Sequence, residues 1–317
     1  MTVIDLLTND ILECGDATLP KTVLALGNFD GVHLGHAELL KEAVRKSKSL
    51  GGSSESVVPG VWLFRAPPSD FLTDPPIPHL STLEEKLSIF RSFGIRYAFI
   101  GEFPILSALS PEEFARRLIS ECNCIHAVCG FNYTFGHRGA GTPKELSAFL
   151  GGRVSVIASV GQAGSPVSST RIRALLRDGD VRAAATLLGR PYSLTAPVLH
   201  GKALGRTISF PTANQAFPQG SVIPKSGIYA VTVHFPWEVP DAIHYGVANV
   251  GLRPTVENSS IVNCETYIFD YSGDLYDKTI EIRFIERLRD ERKMSGLAEL
   301  TAAITHDAEA ARDLFGI

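Results

Sequence analysis

The chain has 317 residues, a length that corresponds to roughly two domains. Hydrophobic residues make up 44% of it and charged residues 20%, which excludes a mainly disordered protein. Because 30 lysines and arginines stand against 34 aspartates and glutamates, the net charge of −4 offers no general attraction for nucleic acid, and we expect no nucleic-acid partner.

The first half of the chain alternates short strands with helices. Residues 23–26 form a continuous apolar run, the pattern of a strand that is buried on both faces. Further strands are predicted at 57–64, 97–100, 127–129 and 154–157, and helices at 36–50, 81–93, 111–119 and 172–177. Ser81 and Glu84 have the spacing of a capping box, and Gly94 is placed to end that helix. The alternation predicts βαβ units around a parallel sheet, hence an α/β domain.

The pattern changes after about residue 185. Apolar and polar residues alternate at 229–235 and at 280–284, the period of antiparallel strands, and a further strand is predicted at 261–269. Several such strands in a short stretch suggest a small barrel or sandwich, and residues 297–315 have the spacing of a closing helix. We therefore predict one domain over residues 1–185 and a second, a β domain with a C-terminal helix, over residues 186–317.

The cysteines and the N-terminus indicate a compartment. The five cysteines are Cys14, Cys122, Cys124, Cys129 and Cys264, an odd number that makes a poor disulfide framework. The close spacing of Cys122, Cys124 and Cys129 could suggest zinc, but no fourth ligand follows at a suitable distance, so we favour buried free thiols. The N-terminus lacks the pattern of a secretion signal, and no apolar run is long enough to predict a membrane span. We expect a cytoplasmic protein.

The densest chemical signal is the stretch of residues 27–36, which follows a buried strand and opens a helix. Its glycines allow the backbone to approach a phosphate chain, and open α/β sheets bind ligands at such junctions. His33 and His36, three residues apart, can point the same way and donate hydrogen bonds to phosphate oxygens. The alternative is a tight turn with two surface histidines, but the complete stretch at this junction favours an anion site.

A second cluster occupies residues 168–173 and precedes a helical run. Hydroxyls, helix amides and a guanidinium together make an anion site, although ordinary helix capping would use the same residue types. Taken together, the two clusters predict a nucleotide site that binds a triphosphate from both sides.

The second half has its own polar set. Gly201, Lys202, Gly205 and Arg206 combine flexible backbone with cations, as a loop covering phosphates would. Thr212 and Asn214 place a hydroxyl and an amide oxygen on one side of an extended segment, ligands that suit Mg²⁺, although this sequence by itself would also suit a turn.

These stretches, in this order, resemble the bifunctional bacterial riboflavin kinase/FMN adenylyltransferase family. The first domain is similar to nucleotidyltransferases with a His-x-Gly-His signature. The matching segments are residues 25–36, 130–136, 168–173, 188–192, 205–214, 246–256 and 274–276. The resemblance spans about residues 22–310 and implies a Rossmann-like adenylyltransferase domain followed by a small antiparallel β-barrel kinase domain. It implies ATP as co-substrate, Mg²⁺, and riboflavin, FMN and FAD as the flavins bound; it names no protein partner.

The resemblance also implies roles for individual residues. ATP binding for adenylyl transfer falls to Gly27, Asn28, Phe29, Asp30, Gly31, His33, Gly35, His36, Asn132, Ser168, Ser169, Thr170 and Arg171. Of these, His33 and His36 would stabilise charge on the phosphates. ATP and flavin binding in the kinase falls to Gly201, Lys202, Gly205, Arg206, Thr212, Asn214 and Arg289, with Thr212 and Asn214 as metal ligands. Glu265, otherwise a strand carboxylate facing water, would be the general base for the ribityl 5′-hydroxyl.

One stretch departs from the family. Its members usually carry Phe, an acidic residue, Pro, His and Pro after the second strand, whereas Arg65 stands here for the acid and Pro67 for the histidine. We expect the fixed positive charge of Arg65, beside the adenylyl-transfer site, to strengthen the attraction of the site for ATP and FMN, at least at low salt. This departure keeps open a riboflavin kinase with an impaired adenylyltransferase domain. A flavin- or nucleotide-binding regulator without catalysis is a further alternative, but it would require Thr212, Asn214 and Glu265 to be altered, and all three are present.

Overall fold

The computed structural model describes residues 1–6, 19–52, 56–162, 164–200, 210–239, 242–253 and 261–317. By their internal contacts the residues divide into two compact units, Met1–Ser169 and Thr170–Ile317. Each is described by itself below.

The first unit contains a six-stranded, wholly parallel sheet with the strand order β1-β4-β3-β2-β5-β6. The strands are β1 (Thr2–Asp5), β2 (Lys21–Leu26), β3 (Val57–Phe64), β4 (Tyr97–Gly101), β5 (Cys124–Gly130) and β6 (Val154–Ile157), and a two-stranded hairpin follows, β7 (Gly161–Gln162) and β8 (Ser165–Pro166). The α/β prediction is therefore confirmed. The sequence pattern missed β1, a four-residue edge strand beside β4.

Helices pack on both faces of this sheet. They are α1 (Leu34–Gly51), α2 (Ser69–Leu72), α3 (Leu83–Ser92), α4 (Phe103–Leu106), α5 (Pro111–Cys122) and α6 (Pro143–Phe149). Alternate residues of β2 enter separate cores, Val23 and Ala25 on one side and Leu24 and Leu26 on the other. This explains why residues 23–26 are a continuous apolar run: a central parallel strand has no face in water.

The start of α3 differs by one residue from the prediction. The capping box joins Thr82 and Glu85 rather than Ser81 and Glu84. Ser81 has another partner, because its Oγ accepts a hydrogen bond from the Gly31 amide at 3.0 Å. Both registers satisfy the spacing of a capping box, so the sequence alone could not choose between them.

The second unit is built on an antiparallel sheet with the order β10-β13-β12-β11-β14-β9. The strands are β9 (Tyr192–Pro197), β10 (Thr212–Ala216), β11 (Gly227–His234), β12 (His244–Arg253), β13 (Ile261–Ile268) and β14 (Thr279–Arg289). A bridge between Leu199 and Asn214 links the continuation of β9 to β10, so the two edges of the sheet meet. The predicted barrel is confirmed.

Among the described residues, three helices accompany the barrel: α7 (Ser169–Asp178), α8 (Val181–Leu188) and α9 (Leu297–Phe315). The last of these packs against the outer face of the sheet, where Ala308 and Ala311 meet Ile228, Val247 and Phe269. On the inner side, the buried Gln215 amide donates to the carbonyls of Ala196 and Ile280 at 2.6 and 3.0 Å. The side chains of β10, β12 and β13 that point away from Gln215 include Thr212, Asn214, Asn249 and Glu265.

Candidate functional site

The loop after β2 lies where the strand order of the parallel sheet reverses, since β3 lies on one side of β2 and β5 on the other. Ligands of open α/β sheets bind at this position. The loop backbone is unusual: Phe29, Gly31 and Val32 have φ of 52°, 76° and 39°. Glycine adopts such angles freely, but for a β-branched valine a positive φ is an outlier that the surrounding structure must hold in place.

The two histidines of the loop face each other. Their rings stack with centroids 3.8 Å apart and planes 12° from parallel. His33 caps α1, and its Nδ1 accepts a hydrogen bond from the His36 amide at 3.3 Å. The proton of a neutral His33 ring is therefore on Nε2, which makes that nitrogen a donor. Gly35 permits this packing, because a Cβ there would lie 3.1 Å from the His33 ring.

His36 is neutral around physiological pH. Burial lowers its pKa well below the ordinary value for histidine, and the nearby His33 and Lys86 lower it further. Its buried Nδ1 has no hydrogen-bond partner among the residues that the structure describes. The two stacked imidazoles offer ring N–H donors for phosphate oxygens, and the lowered pKa of His36 makes its ring a neutral donor rather than a fixed cation.

Several contacts hold the loop in shape. The Asp30 carboxylate accepts a hydrogen bond from the Leu80 amide at 2.8 Å. The Asp30 carbonyl accepts one from the Ser169 hydroxyl at 2.9 Å. The Gly31 amide donates its hydrogen bond to the Ser81 hydroxyl. The predicted residues Asp30, Gly31 and Ser169 are thus brought together, but through bonds to the protein itself. Sequence reasoning missed Ser81 as part of the site because it had placed that residue at the helix cap.

The remaining predicted residues of the first cluster lie as follows. Gly27 and Asn28 follow directly on β2, and the Phe29 side chain is in the core, so only its backbone can face a ligand. Asn132 is exposed just beyond β5, the strand next to β2. Ser168 directly precedes α7, and Thr170 and Arg171 lie in its first turn. The division between the units falls between Ser169 and Thr170, so Thr170 and Arg171 belong to the second unit.

Arg65 does not bring an unbalanced charge. Its Nε lies 2.7 Å from a Glu102 carboxylate oxygen, and its other donor pairs with Asp5. Two carboxylates therefore balance the guanidinium, which leaves less of its charge to attract ATP and FMN than the sequence suggested. Sequence reasoning missed this because Asp5 lies on the unpredicted strand β1 and Glu102 follows the neighbouring strand β4.

The polar set of the second unit forms a row across three strands. Glu265 on β13 is directly opposite Asn214 on β10 and Asn249 on β12. Residues that face each other in an antiparallel sheet lie on one side of it, and Thr212, two residues from Asn214, shares that side. The buried Asn214 amide nitrogen donates to the Thr212 carbonyl at 3.3 Å, which leaves its oxygen as the acceptor. The predicted Thr212, Asn214 and Glu265 are therefore brought to one place.

The sequence analysis gave no role to Asn249 in this row or to Glu291 beside it. The Asn249 amide lies 3.5 Å from Glu291 Oε1, and its buried oxygen has no partner among the described residues. Gly251, two residues further along β12, leaves space for the Glu291 carboxylate, because a Cβ there would lie 2.4 Å from Oε1. Strand register brings these residues to Glu265, and a single sequence shows no register before the strands are paired.

Arg289 has a partner other than a ligand. Its Nε and terminal nitrogen bind the two carboxylate oxygens of the buried Asp307 on α9 at 2.7 and 2.6 Å, and another nitrogen donates to the Asp290 carbonyl at 3.0 Å. This bidentate pair attaches the last strand to the closing helix. Gly201, Lys202, Gly205 and Arg206 lie outside the described residues.

Other features of the described residues can be stated briefly. No helix among them is both long and apolar enough to cross a membrane. They hold no group of three or more histidines, cysteines and carboxylates arranged to bind a metal ion. Cys122, Cys124, Cys129 and Cys264 are buried free thiols, and burial raises the pKa of Cys129 to about 11.

Comparison with known proteins gives both halves a family. An FAD synthetase family model matches residues 16–171, and a riboflavin kinase model matches residues 188–315. The bifunctional riboflavin kinase/FMN adenylyltransferase of Bacillus subtilis is 35% identical over 92% of this chain and 92% of its own. The protein with the same description from Escherichia coli K12 is 33% identical over 93% of each chain.

One solved structure resembles the whole chain. It is described as a macrolide-efflux protein from Streptococcus pneumoniae, is 30% identical and has a TM-score of 0.82 over 93% of this chain and 95% of that one. That description applies to the Streptococcus pneumoniae protein, and the similarity to this chain is one of fold.

The chain is thus a transferase that combines a nucleotidyltransferase half with a kinase half. It belongs to the bifunctional riboflavin kinase/FMN adenylyltransferase family and carries both activities. The alternative of an impaired adenylyltransferase receives no support, since the FAD synthetase model matches the half that contains Arg65 and Pro67.

Proposed function

We propose that the two reactions use the two sites described above, in sequence. At the outer face of the barrel, the riboflavin 5′-hydroxyl attacks the γ-phosphorus of ATP, the bond to the β-phosphate oxygen breaks, and ADP leaves. At the loop after β2, an FMN phosphate oxygen attacks the α-phosphorus of a second ATP, and pyrophosphate leaves. Riboflavin, FMN, ATP and FAD are accordingly the molecules bound, and a cytoplasmic location stays a prediction from the sequence.

The observation that carries the kinase proposal is the position of Glu265 between Asn214 and Asn249. A carboxylate that accepts the proton of the attacking hydroxyl must be fixed in direction, and two flanking amides of the same face provide polar neighbours that do not compete for that proton. We assign Glu265 as the general base.

Mg²⁺ fits the neighbouring residues. Mg²⁺ prefers oxygen ligands and keeps several waters and nucleotide phosphates, so few protein ligands are needed. The Thr212 hydroxyl and the Asn214 amide oxygen would hold it, and the bound ion would neutralise charge on the ATP phosphates. Both residues share one side of β10 next to Glu265, which supports this assignment.

The observation that carries the adenylyltransferase proposal is the stacked pair of histidines at the switch point of the sheet. His33 Nε2 and the His36 ring would donate hydrogen bonds to phosphate oxygens as charge grows on them. Gly27, Asn28 and Gly35, with Asn132, Ser168, Ser169, Thr170 and Arg171, keep the ATP-binding role that the family resemblance implies. No covalent enzyme intermediate is required.

The domain limits at 185 and 186 are likewise proposed. The two family matches leave residues 172–187 between them, and that interval contains the proposed boundary. The helix α8 (Val181–Leu188) spans the proposed boundary, and because it packs against β14 and β9, its residues before 186 also lie with the barrel by contact.

The decisive experiment is to incubate the pure protein with riboflavin, ATP and Mg²⁺ and to separate FMN from FAD by chromatography over time. We expect FMN to appear first and FAD to follow, and both to stop when EDTA is added. A protein that converts supplied FMN to FAD but never forms FMN from riboflavin would contradict the assignment of Glu265 and its row.

A further inference from the structure

Lys86 is a buried cation that the reactions above do not use. Its side chain is part of α3, on the same inward face as Phe90, and the residue is 3% exposed. Lysine is almost never fully buried unless its charge is paired, because removing an ammonium from water costs several kcal/mol. A role in the structure or the reaction must offset that cost.

The surroundings of Lys86 identify what it holds. Its Nζ donates a hydrogen bond to the Asn28 carbonyl at 3.2 Å. The carboxylates of Asp30 and Asp70 attract the ammonium, and so oppose the lowering of its pKa by burial. Asp70 in turn pairs with His79, whose Nε2 lies 3.1 Å from its carboxylate. The Lys86 ammonium is therefore in contact with the loop that follows β2.

The same short segment makes further bonds to that loop. The backbone amide of Leu80 donates a hydrogen bond to the Asp30 carboxylate, and the Ser81 hydroxyl accepts one from the Gly31 amide. With Lys86 on Asn28, three residues of the segment 80–86 hold three of the four loop positions 28–31, all but Phe29. Backbone in the left-handed region persists only where the surroundings determine it several times over, and this segment is placed to do so.

We propose that Lys86 is a positioning residue for adenylyl transfer, which acts through the Asn28 carbonyl on the loop that carries His33 and His36. The inference rests on the proposed role of that loop. It assigns to α3 a function beyond packing: its buried ammonium keeps the histidines in the place where the phosphates bind.

Lys86 also has an electrostatic effect on the loop. The groups that face His36 are His33 and the Phe29 ring from the loop and Lys86 from α3, and Asp30, Asp70 and His79 lie around Lys86. A nearby positive charge disfavours protonation of an imidazole. Removal of the Lys86 charge should therefore raise the pKa of His36, so that the ring protonates at a higher pH than in the parent.

The test compares Lys86→Met, which keeps an unbranched side chain but removes the ammonium group, with Lys41→Met. Lys41 is an exposed lysine of α1 paired with Glu38, so its loss should change neither activity. At saturating ATP and FMN, Lys86→Met should lower kcat for FAD formation roughly tenfold to a hundredfold, the usual size of a misplaced catalytic group. FMN formation from riboflavin should stay at the parental rate.

Histidine NMR on the full chain separates positioning from a general loss of structure. The His36 ring signal, identified by its absence in His36→Ala, should titrate at a higher pH in Lys86→Met than in the parent and at the parental pH in Lys41→Met. A folded Lys86→Met variant that keeps kcat within about twofold of the parent overturns the proposal. So does a variant that loses kcat while the His36 titration stays unchanged.

If Lys86→Met does not fold, Lys86→Leu decides by the same two measurements, since it also removes both the charge and the donor for the Asn28 carbonyl. The result for the proposed function is read separately. If His36→Ala forms FAD at the parental rate, the loop is not the adenylyl-transfer site, whereas the NMR titration still shows whether Lys86 acts on His36.

Discussion

The two proposed sites of this chain are assembled in opposite ways. The proposed adenylyl-transfer site is concentrated in one loop of the parallel sheet, in which Phe29, Gly31 and Val32 have left-handed backbone and residues 28, 30 and 31 bind to the segment of residues 80–86. The kinase site has no such loop among the described residues. Its side chains come from three antiparallel strands, and the register of the strands places Glu265 beside Asn214 and Asn249.

This difference predicts how each site fails. A change in the loop should disturb several ligand-binding groups together, because they share one backbone conformation. A change in the row should remove one chemical group and leave its neighbours in place, because the barrel register does not depend on any single outer side chain. The variants below test that contrast, from the largest expected effect to the smallest.

His36→Ala should have the largest effect. Loss of a donor aimed at developing phosphate charge lowers kcat by roughly 10²- to 10³-fold, and here the stacking partner of His33 is lost as well. We expect FAD formation from supplied FMN to fall by at least that factor while FMN formation from riboflavin is unchanged. His126→Gln is the control, a buried histidine of the same sheet that bonds Ser155 away from the loop. Equal loss of both activities would indicate misfolding or one shared site.

Glu265→Gln should have the next largest effect, confined to the other reaction. The amide has the shape of the carboxylate but cannot accept the proton of the ribityl hydroxyl, so FMN formation should fall by roughly 10²-fold or more. Supplied FMN should still become FAD at the parental rate. Glu281→Gln is the matched control, a strand carboxylate of β14 that pairs with Arg283. A kinase rate within a few-fold of the parent would remove Glu265 from the mechanism.

These two variants also mark how far the sequence could predict the molecule. The residues of the loop are neighbours in the chain, so His33 and His36 could be recognised as one motif, and their meeting required only a helical turn. Glu265 and Asn249 are separated by sixteen positions and meet only after β12 and β13 pair in one register. The resemblance to a known family supplied the role of Glu265. It covered Asn249 without giving it a role, and it did not point to Glu291.

Buried charges were the other feature that the sequence could not place. Lys86 occupies an inward position of an amphipathic helix, between Leu83 and Phe90. A lysine among apolar residues on that face was the sequence feature that could have indicated a buried charge. Arg65 looked like a free cation because its partners, Asp5 and Glu102, are distant in sequence. In both cases the polar partner lies on another element, and periodicity describes only one element at a time.

Truncation tests whether the kinase is independent of the loop. A fragment of residues 187–317 contains all of the kinase motifs and should phosphorylate riboflavin. It lacks α7 and most of α8, and with them the bond from the Lys225 amide to the Leu176 carbonyl at 2.9 Å and the ion pair of Arg182 with Glu286. We therefore expect it to unfold at a lower temperature than a fragment of residues 170–317, by about 4–8 °C for each kcal/mol lost.

Circular dichroism and the rate of FMN formation, measured on both fragments, check this expectation. If the shorter fragment is folded yet inert at saturating ATP and Mg²⁺ while the longer one is active, the helices belong to the kinase site and not only to its stability. If both are folded and inert, the two activities are not separable into the two halves.

The smallest effect is expected for Arg65→Gln. An unbalanced cation near ATP and FMN would attract both anions, and its removal would raise KM for each. The structure instead pairs the guanidinium with Asp5 on β1 and with Glu102 just after β4, so little of its charge is left for a ligand. We expect KM for ATP and FMN in FAD formation to stay within about twofold of the parent at low salt, where attraction is least screened.

Because the Arg65 side chain is 41% exposed, the free energy of unfolding should fall by only about 0.2–1 kcal/mol for each ion pair lost. Arg65→Asp should be worse than Arg65→Gln, since it would place a third carboxylate beside the other two. A several-fold rise in KM for Arg65→Gln without loss of stability would show that the guanidinium leaves its partners to bind the ligand, and would restore the departure at residue 65 as a feature of the active site.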